Sequence, residues 1–294
     1  MSNNFKSFFA SIGLLFITII WGFAFVVVKN SLDYIGPIYM MAFRFSIASV
    51  VLSIIFINKF KLLTKKMFLH GIGLGLFLAL AYAFQTIGCK YTTAGKNAFL
   101  TTIYVILVPF LNWIIVKRKP DIYSVIAAFL SILGIGLLSL KGDLSINIGD
   151  LLTLICGICY ALHIVYIAKY SKNDDPIVLT ILQLTTTAIL SWIFAPIFDG
   201  VFPLSGLKQS GVIPSMLYLG LLSTMAAFLL QNICQKYTKP AMAALLMSFE
   251  SVFGLVFSIF FLHETLTTKA LIGCVLMFIA ILVSELKPGK KIKS

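Results

Sequence analysis

The amino-acid sequence predicts an all-α polytopic membrane protein, with ten transmembrane helices arranged as two inverted five-helix repeats. Three observations lead there. First, 60% of the 294 residues are apolar, 11% are charged, and the mean hydropathy is +1.03, whereas soluble chains run near about 45–50% apolar and about 25% charged. Second, the apolar residues fall into ten runs, each close to the ~20 residues that cross a ~30 Å hydrocarbon core. Third, a stretch of sequence recurs in the second half of the chain. A water-soluble core of this size would leave far too much apolar surface exposed. Composition therefore excludes a soluble enzyme, a disordered chain and a disulfide-rich secreted module.

In chain order the runs are Phe8–Val28, Pro37–Ile57, Met67–Gly88, Ala94–Val116, Ile122–Leu140, Asp150–Tyr170, Pro176–Phe198, Ser210–Cys234, Pro240–Leu262 and Thr268–Ser284. Lys6 precedes the first, and Val28-Lys29-Asn30 follows it without a small-residue cleavage site, so it reads as an uncleaved helix and not a signal peptide. Gly71-x-Gly73-x-Gly75 in the third run and Gly134-x-Gly136 in the fifth are faces for close helix contact. No strand precedes them, so they are not phosphate-binding loops. Barrel strands would be about ten residues long with polar alternation; these runs do not alternate, and helices satisfy their own backbone.

The net charge of +13 follows the membrane and not nucleic acid. With the N-terminus inside, the inside segments carry 16 Lys and Arg residues and the outside segments six, with Arg44 inside a span. That asymmetry predicts a multi-pass protein of a bacterial cytoplasmic membrane with both termini cytoplasmic. No basic stripe lies on an amphipathic element, so no nucleic-acid partner is expected. The five cysteines, Cys89, Cys156, Cys159, Cys234 and Cys274, lie inside or at the edge of apolar runs. Cys156-x-x-Cys159 has the spacing of a redox or zinc half-site but no second Cys or His pair near it. It reads as packing, and neither metal nor cofactor is expected.

The repeat is legible directly. Gln85-Thr-Ile-Gly-Cys-Lys90-Tyr91-Thr92 returns as Gln231-Asn-Ile-Cys-Gln-Lys236-Tyr237-Thr238, five of eight positions identical at an offset of 146. A second register, at an offset of 139, sets Pro37 opposite Pro176, Trp21 opposite Tyr160 and Arg44 opposite Gln183. A seven-residue insertion in the loop Gly200–Gln209 reconciles the two. The expected division is 1–143 for the first repeat and 144–294 for the second with its basic tail. Five is odd, so the second half enters the membrane from the opposite face. Near-symmetric halves make two conformations, open to opposite sides, close in energy, which is the architecture of many secondary carriers.

The residues resemble the drug/metabolite transporter superfamily, specifically EamA-type ten-helix transporters. The resemblance is carried by Ile20-Trp21-Gly22-Phe23-Ala24-Phe25-Val26, Arg44-Phe45, and Phe99-Leu100-Thr101-Thr102-Ile103-Tyr104-Val105 with Pro109. Phe249-Glu250-Ser251-Val252-Phe253-Gly254 and His263-Glu264-Thr265-Leu266 complete it. It covers the chain from about residue 9 to 285. Relatives commonly have Glu-Pro in the ninth span; here Ser251 follows Glu250, so the proline kink is absent or replaced by a serine back-bond to the preceding turn. The resemblance implies transport of a small metabolite, often an amino acid or drug-like solute, and the solute does not transfer with the fold.

The polar residues inside spans are the candidate site. Glu250 is the only acid deep in a span, ten residues beyond Pro240 and so ~15 Å in, near the midplane. A carboxylate there must be protonated, paired or facing a water-filled cavity. It reads either as a substrate-amine partner and proton-coupling site or as a neutral acid bonded to a neighbouring helix. Arg44, ~10 Å from the span end at Pro37, either snorkels and braces the fold or holds a substrate carboxylate or Glu250. Gln85 and Gln231, at equivalent repeat positions, suit rims or interhelical hydrogen bonds. His163 and Gln183 are cavity candidates or satisfied packing residues. Trp21, Tyr82, Tyr104 and Tyr160 lie inside spans and need hydrogen-bond partners, which suits a ring-lined cavity.

No catalytic residues are expected: there is no nucleotide loop, His-Glu-x-x-His pair or nucleophile elbow. The expectation is a secondary transporter, an exporter of a small organic metabolite such as an amino acid or amine, working by alternating access with proton coupling at Glu250. Its partners are a small-molecule solute and the lipid bilayer, and it is a monomer or weak dimer. The competing readings are an intramembrane lipid-modifying enzyme and a non-transporting scaffold. Convergence of Glu250, Arg44, His163 and Trp21 on one water-accessible pocket discriminates them.

Overall fold

The computed structural model describes residues 3–117, 119–139, 146–265 and 267–286. The expected repeat boundary at 143/144, Arg118, Lys141, Leu266 and the basic tail from Lys287 lie outside them. Ten helical spans run through the described residues. They are Asn3–Ser31, Pro37–Ile55, Lys65–Tyr91, Ala94–Thr101 continued by Tyr104–Val116, Ile122–Ser139, Ile148–Tyr170, Pro176–Phe198, Val212–Leu217 continued through to Gln235, Pro240–Leu262 and Thr268–Leu286. Local chemistry sets their starts. Pro37, Pro176 and Pro240 take the first helical turn, where a missing N–H costs nothing. Thr64, Thr93, Asn147 and Asp175 cap with side-chain oxygens. Apolar residues such as Ile54, Phe129 and Phe260 are exposed on the outside of the bundle, where lipid takes the place of solvent.

Two spans are not the uninterrupted helices that their hydropathy predicts. The fourth breaks after Thr101: the amides of Thr102 and Ile103 bond to Phe99 and Leu100, one residue short of α-helical spacing, before the helix resumes at Tyr104. The Thr101 and Thr102 hydroxyls take the carbonyls of Asn97 and Phe99 at 2.8 and 2.7 Å, offering the backbone an alternative to the ladder. Pro109 adds a missing donor further on. The eighth widens into a π-helix over Tyr218–Ala226. Nothing in its composition marks this; Trp21 and Arg44 of other spans bond to it.

Packing follows a two-fold rule. The first span packs on the ninth and the sixth on the fourth; the third packs on the sixth and the eighth on the first; the third also lies on the seventh as the eighth lies on the second. The second meets the seventh, the fourth the ninth and the fifth the tenth. Exchanging each span for its repeat mate leaves this list unchanged, as a pseudo-two-fold axis requires. The repeats interleave, so most large interfaces join one to the other. Among the described residues, the two non-glycine residues with left-handed backbone, Lys117 and His263, stand at the ends of the fourth and ninth spans and are themselves 146 residues apart. Small residues permit the closest crossings: a Cβ on Gly71 would lie 2.3 Å from Leu182 Cβ, and one on Gly75 would lie 2.5 Å from Thr186 Cβ, while Gly73 faces open space.

Candidate functional site

The interleaved repeats enclose a central chamber. It is a cavity of about 50 Å³, room for a few water molecules. Eight of the ten sequence-derived candidates line it: Trp21, Arg44, Tyr82, Gln85, Tyr104, Tyr160, Gln231 and Glu250. The other two stand behind its wall. His163 and Gln183 are fully buried, and His163 Nε2 lies 2.6 Å from Gln183 Oε1.

Glu250 has one described partner, the Tyr104 hydroxyl, which donates to Oε1 at 3.0 Å. Their separation of 146 residues equals the repeat offset, so the bond joins mates and lies on the pseudo-two-fold axis. Ser251 Oγ donates back to the Ser248 carbonyl at 2.8 Å, the serine back-bond named above as the alternative to a proline kink.

Arg44, on the second span, is 3% exposed and is held by the π-helix of the eighth. Its Nε donates to Thr224 Oγ1 at 2.8 Å and its Nη2 to Ser223 Oγ at 2.9 Å. The guanidinium carbon stands 4.7 Å from the Tyr82 ring centroid, a cation–π arrangement. Trp21 Nε1 donates to the Ser223 carbonyl at 2.9 Å. The wider turn thus turns one carbonyl and two hydroxyls toward the first and second spans. No ion pair joins Arg44 to Glu250 among the described residues; the hydroxyls hold the arginine on its own wall. The chamber therefore has a cation on one side and an acid on its axis, with rings between.

Gln85 bridges helices, donating to Thr101 Oγ1 and accepting from the Tyr160 hydroxyl, both at 3.2 Å. Asn97, Thr86, Cys89, Ser223 and Phe228 also line the chamber. These were missed because small polar residues, cysteines and phenylalanines are common at ordinary helix contacts in a membrane, so residue type alone does not single them out. The repeat register itself points to one of them, since Phe228 is the mate of Tyr82.

One end of the bundle carries a set of polar contacts, hereafter the Glu264 end. Glu264 accepts from the backbone amides of Ala94 and Gly95 at 2.6 and 3.0 Å, capping the fourth span. Lys29 Nζ donates to the carbonyls of Cys89 and Thr92 at 2.7 and 2.6 Å, capping the third. Lys96 and Thr92 both reach Asp150, at 2.9 and 2.6 Å. Asp199 accepts from the amides of Ile38 and Tyr39 at the start of the second span. Burial pushes Asp199 above its ordinary value despite these bonds. At the opposite end Lys59 pairs with Asp175 at 3.0 Å, and His70 Nδ1 lies 2.6 Å from Asp174 Oδ2.

A buried chamber between two inverted five-helix repeats defines the class, a ten-helix membrane transporter. The EamA-like transporter family matches residues 8–140 and again 147–286, and the chain belongs to that family. An uncharacterized transporter of Archaeoglobus fulgidus is 34% identical over 285 residues, covering 96% of this chain and 87% of that one. The uncharacterized transporter YoaV of Bacillus subtilis is 26% identical, covering 90% and 93%. A crystal structure of a protein 16% identical in sequence superposes with a TM-score of 0.72 over 95% of this chain and 98% of that one, which shows the shared fold.

Proposed function

We propose that the chain is a secondary carrier that exports a small organic solute, an amino acid or amine, by alternating access between its two repeats, 1–143 and 144–294. Both termini are cytoplasmic, which places the Glu264 end outside. The observation that carries the reading is the on-axis pair of Tyr104 and Glu250 facing the same chamber as Arg44. An acid on the symmetry axis meets both halves of the path equally, so it serves the solute in either conformation. Arg44 provides the matching site for a carboxylate, and the Trp21, Tyr82 and Tyr160 rings supply apolar contact. Glu250 exchanges a proton for the solute. A scaffold gains nothing from an arginine and an acid held in one chamber, where each is costly.

The test is flux in proteoliposomes against a panel of amino acids and amines, with and without an imposed pH gradient. A pH gradient is expected to drive the solute, and Glu250→Gln to remove that drive. Flux and pH dependence left intact by Glu250→Gln would take Glu250 out of the mechanism, and no flux of any solute would refute the carrier.

A further inference from the structure

Eight buried side-chain atoms have no hydrogen-bond partner among the described residues, and six of them belong to five residues of the sixth, seventh and eighth spans: His163 Nδ1, Gln183 Nε2, Gln231 Oε1, Asn232 Oδ1, and both amide atoms of Gln235. None of the five is more than 3% exposed. Buried polar atoms are nearly always paired, and leaving one unpaired is costly. So many in one region call for a physical reason.

The repeat register supplies it. The mates of His163 and Gln183, at the offset of 139, are Ala24 and Arg44; those of Gln231, Asn232 and Gln235, at 146, are Gln85, Thr86 and Cys89. All five mates line the chamber. Of the orphan-bearing set only Gln231 does. Inversion places mates in opposite halves of the membrane. The orphan cluster is therefore the mirror image of the chamber half that lies toward the Glu264 end, shut here and full of polar atoms.

Phe228 stands between the two. Its ring centroid is 5.6 Å from Trp21 and 5.9 Å from Tyr82 on the chamber side, and 6.1 Å from His163 on the other. It shares a helix face with Gln231, Asn232 and Gln235, at spacings of three, four and seven residues. It is 2% exposed.

We propose that His163, Gln183, Asn232 and Gln235 form a second polar site, a vestibule behind Phe228, which takes water and the neutral hydrogen-bonding groups of a small solute when the chamber opens away from the Glu264 end. The assignment rests on the alternating-access reading. Its chemistry differs from that of its mirror image: Gln183 stands where the other half has Arg44. None of the four residues is a fixed cation, so the vestibule by itself holds a carboxylate weakly.

The test uses the full chain in lipid vesicles, a small charged methanethiosulfonate reagent and site-resolved mass spectrometry, with no solute present. The thiol introduced by Gln235→Cys is expected to react at least tenfold faster than native Cys274, which is also buried (3% exposed). Diethyl pyrocarbonate is expected to modify His163 of the unaltered chain. Adding Glu264→Ala is expected to speed Cys89 and slow the Gln235→Cys thiol. A Gln235→Cys thiol no faster than Cys274, or His163 unmodified once the exposed His263 has reacted fully, overturns the vestibule. Cys89 and the Gln235→Cys thiol speeding up together overturns the mirror-image assignment. If the substituted chain misfolds, His163 of the unaltered chain decides alone. Reactive vestibule residues in a chain that moves no solute would refute transport and leave the site standing.

Discussion

Glu264→Ala removes the carboxylate that caps the fourth span and leaves the amides of Ala94 and Gly95 without a protein acceptor. Both bonds are charge-assisted, at 2.6 and 3.0 Å, and both join the end of the ninth span to the start of the fourth. Parting the ninth span from the fourth at that end would break both. Loss of a helix cap costs about 0.5–2 kcal/mol, and a hydrogen bond to a charged group contributes about 1.5–3 kcal/mol. Water recovers part of this at the membrane surface, so we take about 2 kcal/mol for the pair, which raises the population open at that end roughly 30-fold. Glu264→Gln keeps one acceptor and is expected to give roughly fivefold, about half the free energy. The reporter is already in the chain. Cys89 lines the chamber beside the Lys29 contacts and is 1% exposed. Its alkylation in vesicles, followed by mass spectrometry, is expected to accelerate by these factors. A Cys89 rate within about twofold of wild type, in a chain that melts normally, would refute the role of Glu264 as a latch.

Three further outcomes test other parts of the structure. Gly22→Ala would place a Cβ 2.4 Å from Phe253 Cβ and 2.9 Å from the Gly254 nitrogen; forcing the first and ninth spans apart is expected to cost about 1–3 kcal/mol in a denaturant titration in micelles, and no change would contradict the crossing. Tyr104→Phe strips Glu250 of its described partner and is expected to destabilise by about 1–3 kcal/mol in the same titration; stability equal to wild type would argue against the on-axis bond. Burial pushes Asp175 up, but Lys59 and the amides of Val178 and Ile177 outweigh it and hold the carboxyl below its ordinary 3.8. A folded value below the unfolded one gives stability that is present above that pH and lost as the pH falls through the lower value. Asp175→Asn is therefore expected to melt earlier than wild type at neutral pH and to converge with it on acidification below 3.8; parallel curves would refute the pairing.

Much of this was legible in the chain before any coordinates. Membrane residence, helical class and span number follow from how much apolar length the chain offers, because lipid admits no unpaired backbone. The repeat was legible in Gln85–Thr92 and Gln231–Thr238, and with it the inversion, since five crossings reverse direction. Eight chamber residues were found as polar or aromatic residues inside spans, where their cost marks them out. The breaks were not legible. Thr101 and Thr102 have ordinary composition, and the π-helix at Tyr218–Ala226 carries no local signal; its partners, Trp21 and Arg44, come from other spans. Depth alone also allowed Arg44 to meet Glu250, and it does not.

Amino-acid order by itself determined what each stretch must do in a bilayer, because hydropathy, charge and repetition act locally and add along the chain. Which polar atoms find each other was left to the tertiary structure. Pairing inside a membrane depends on helix rotation and on turns as wide as the one behind Arg44, and those are set by packing between spans far apart in sequence. That is why Tyr104 answers Glu250 on the axis, while His163 and Gln183, also polar and also inside spans, face one another behind the wall.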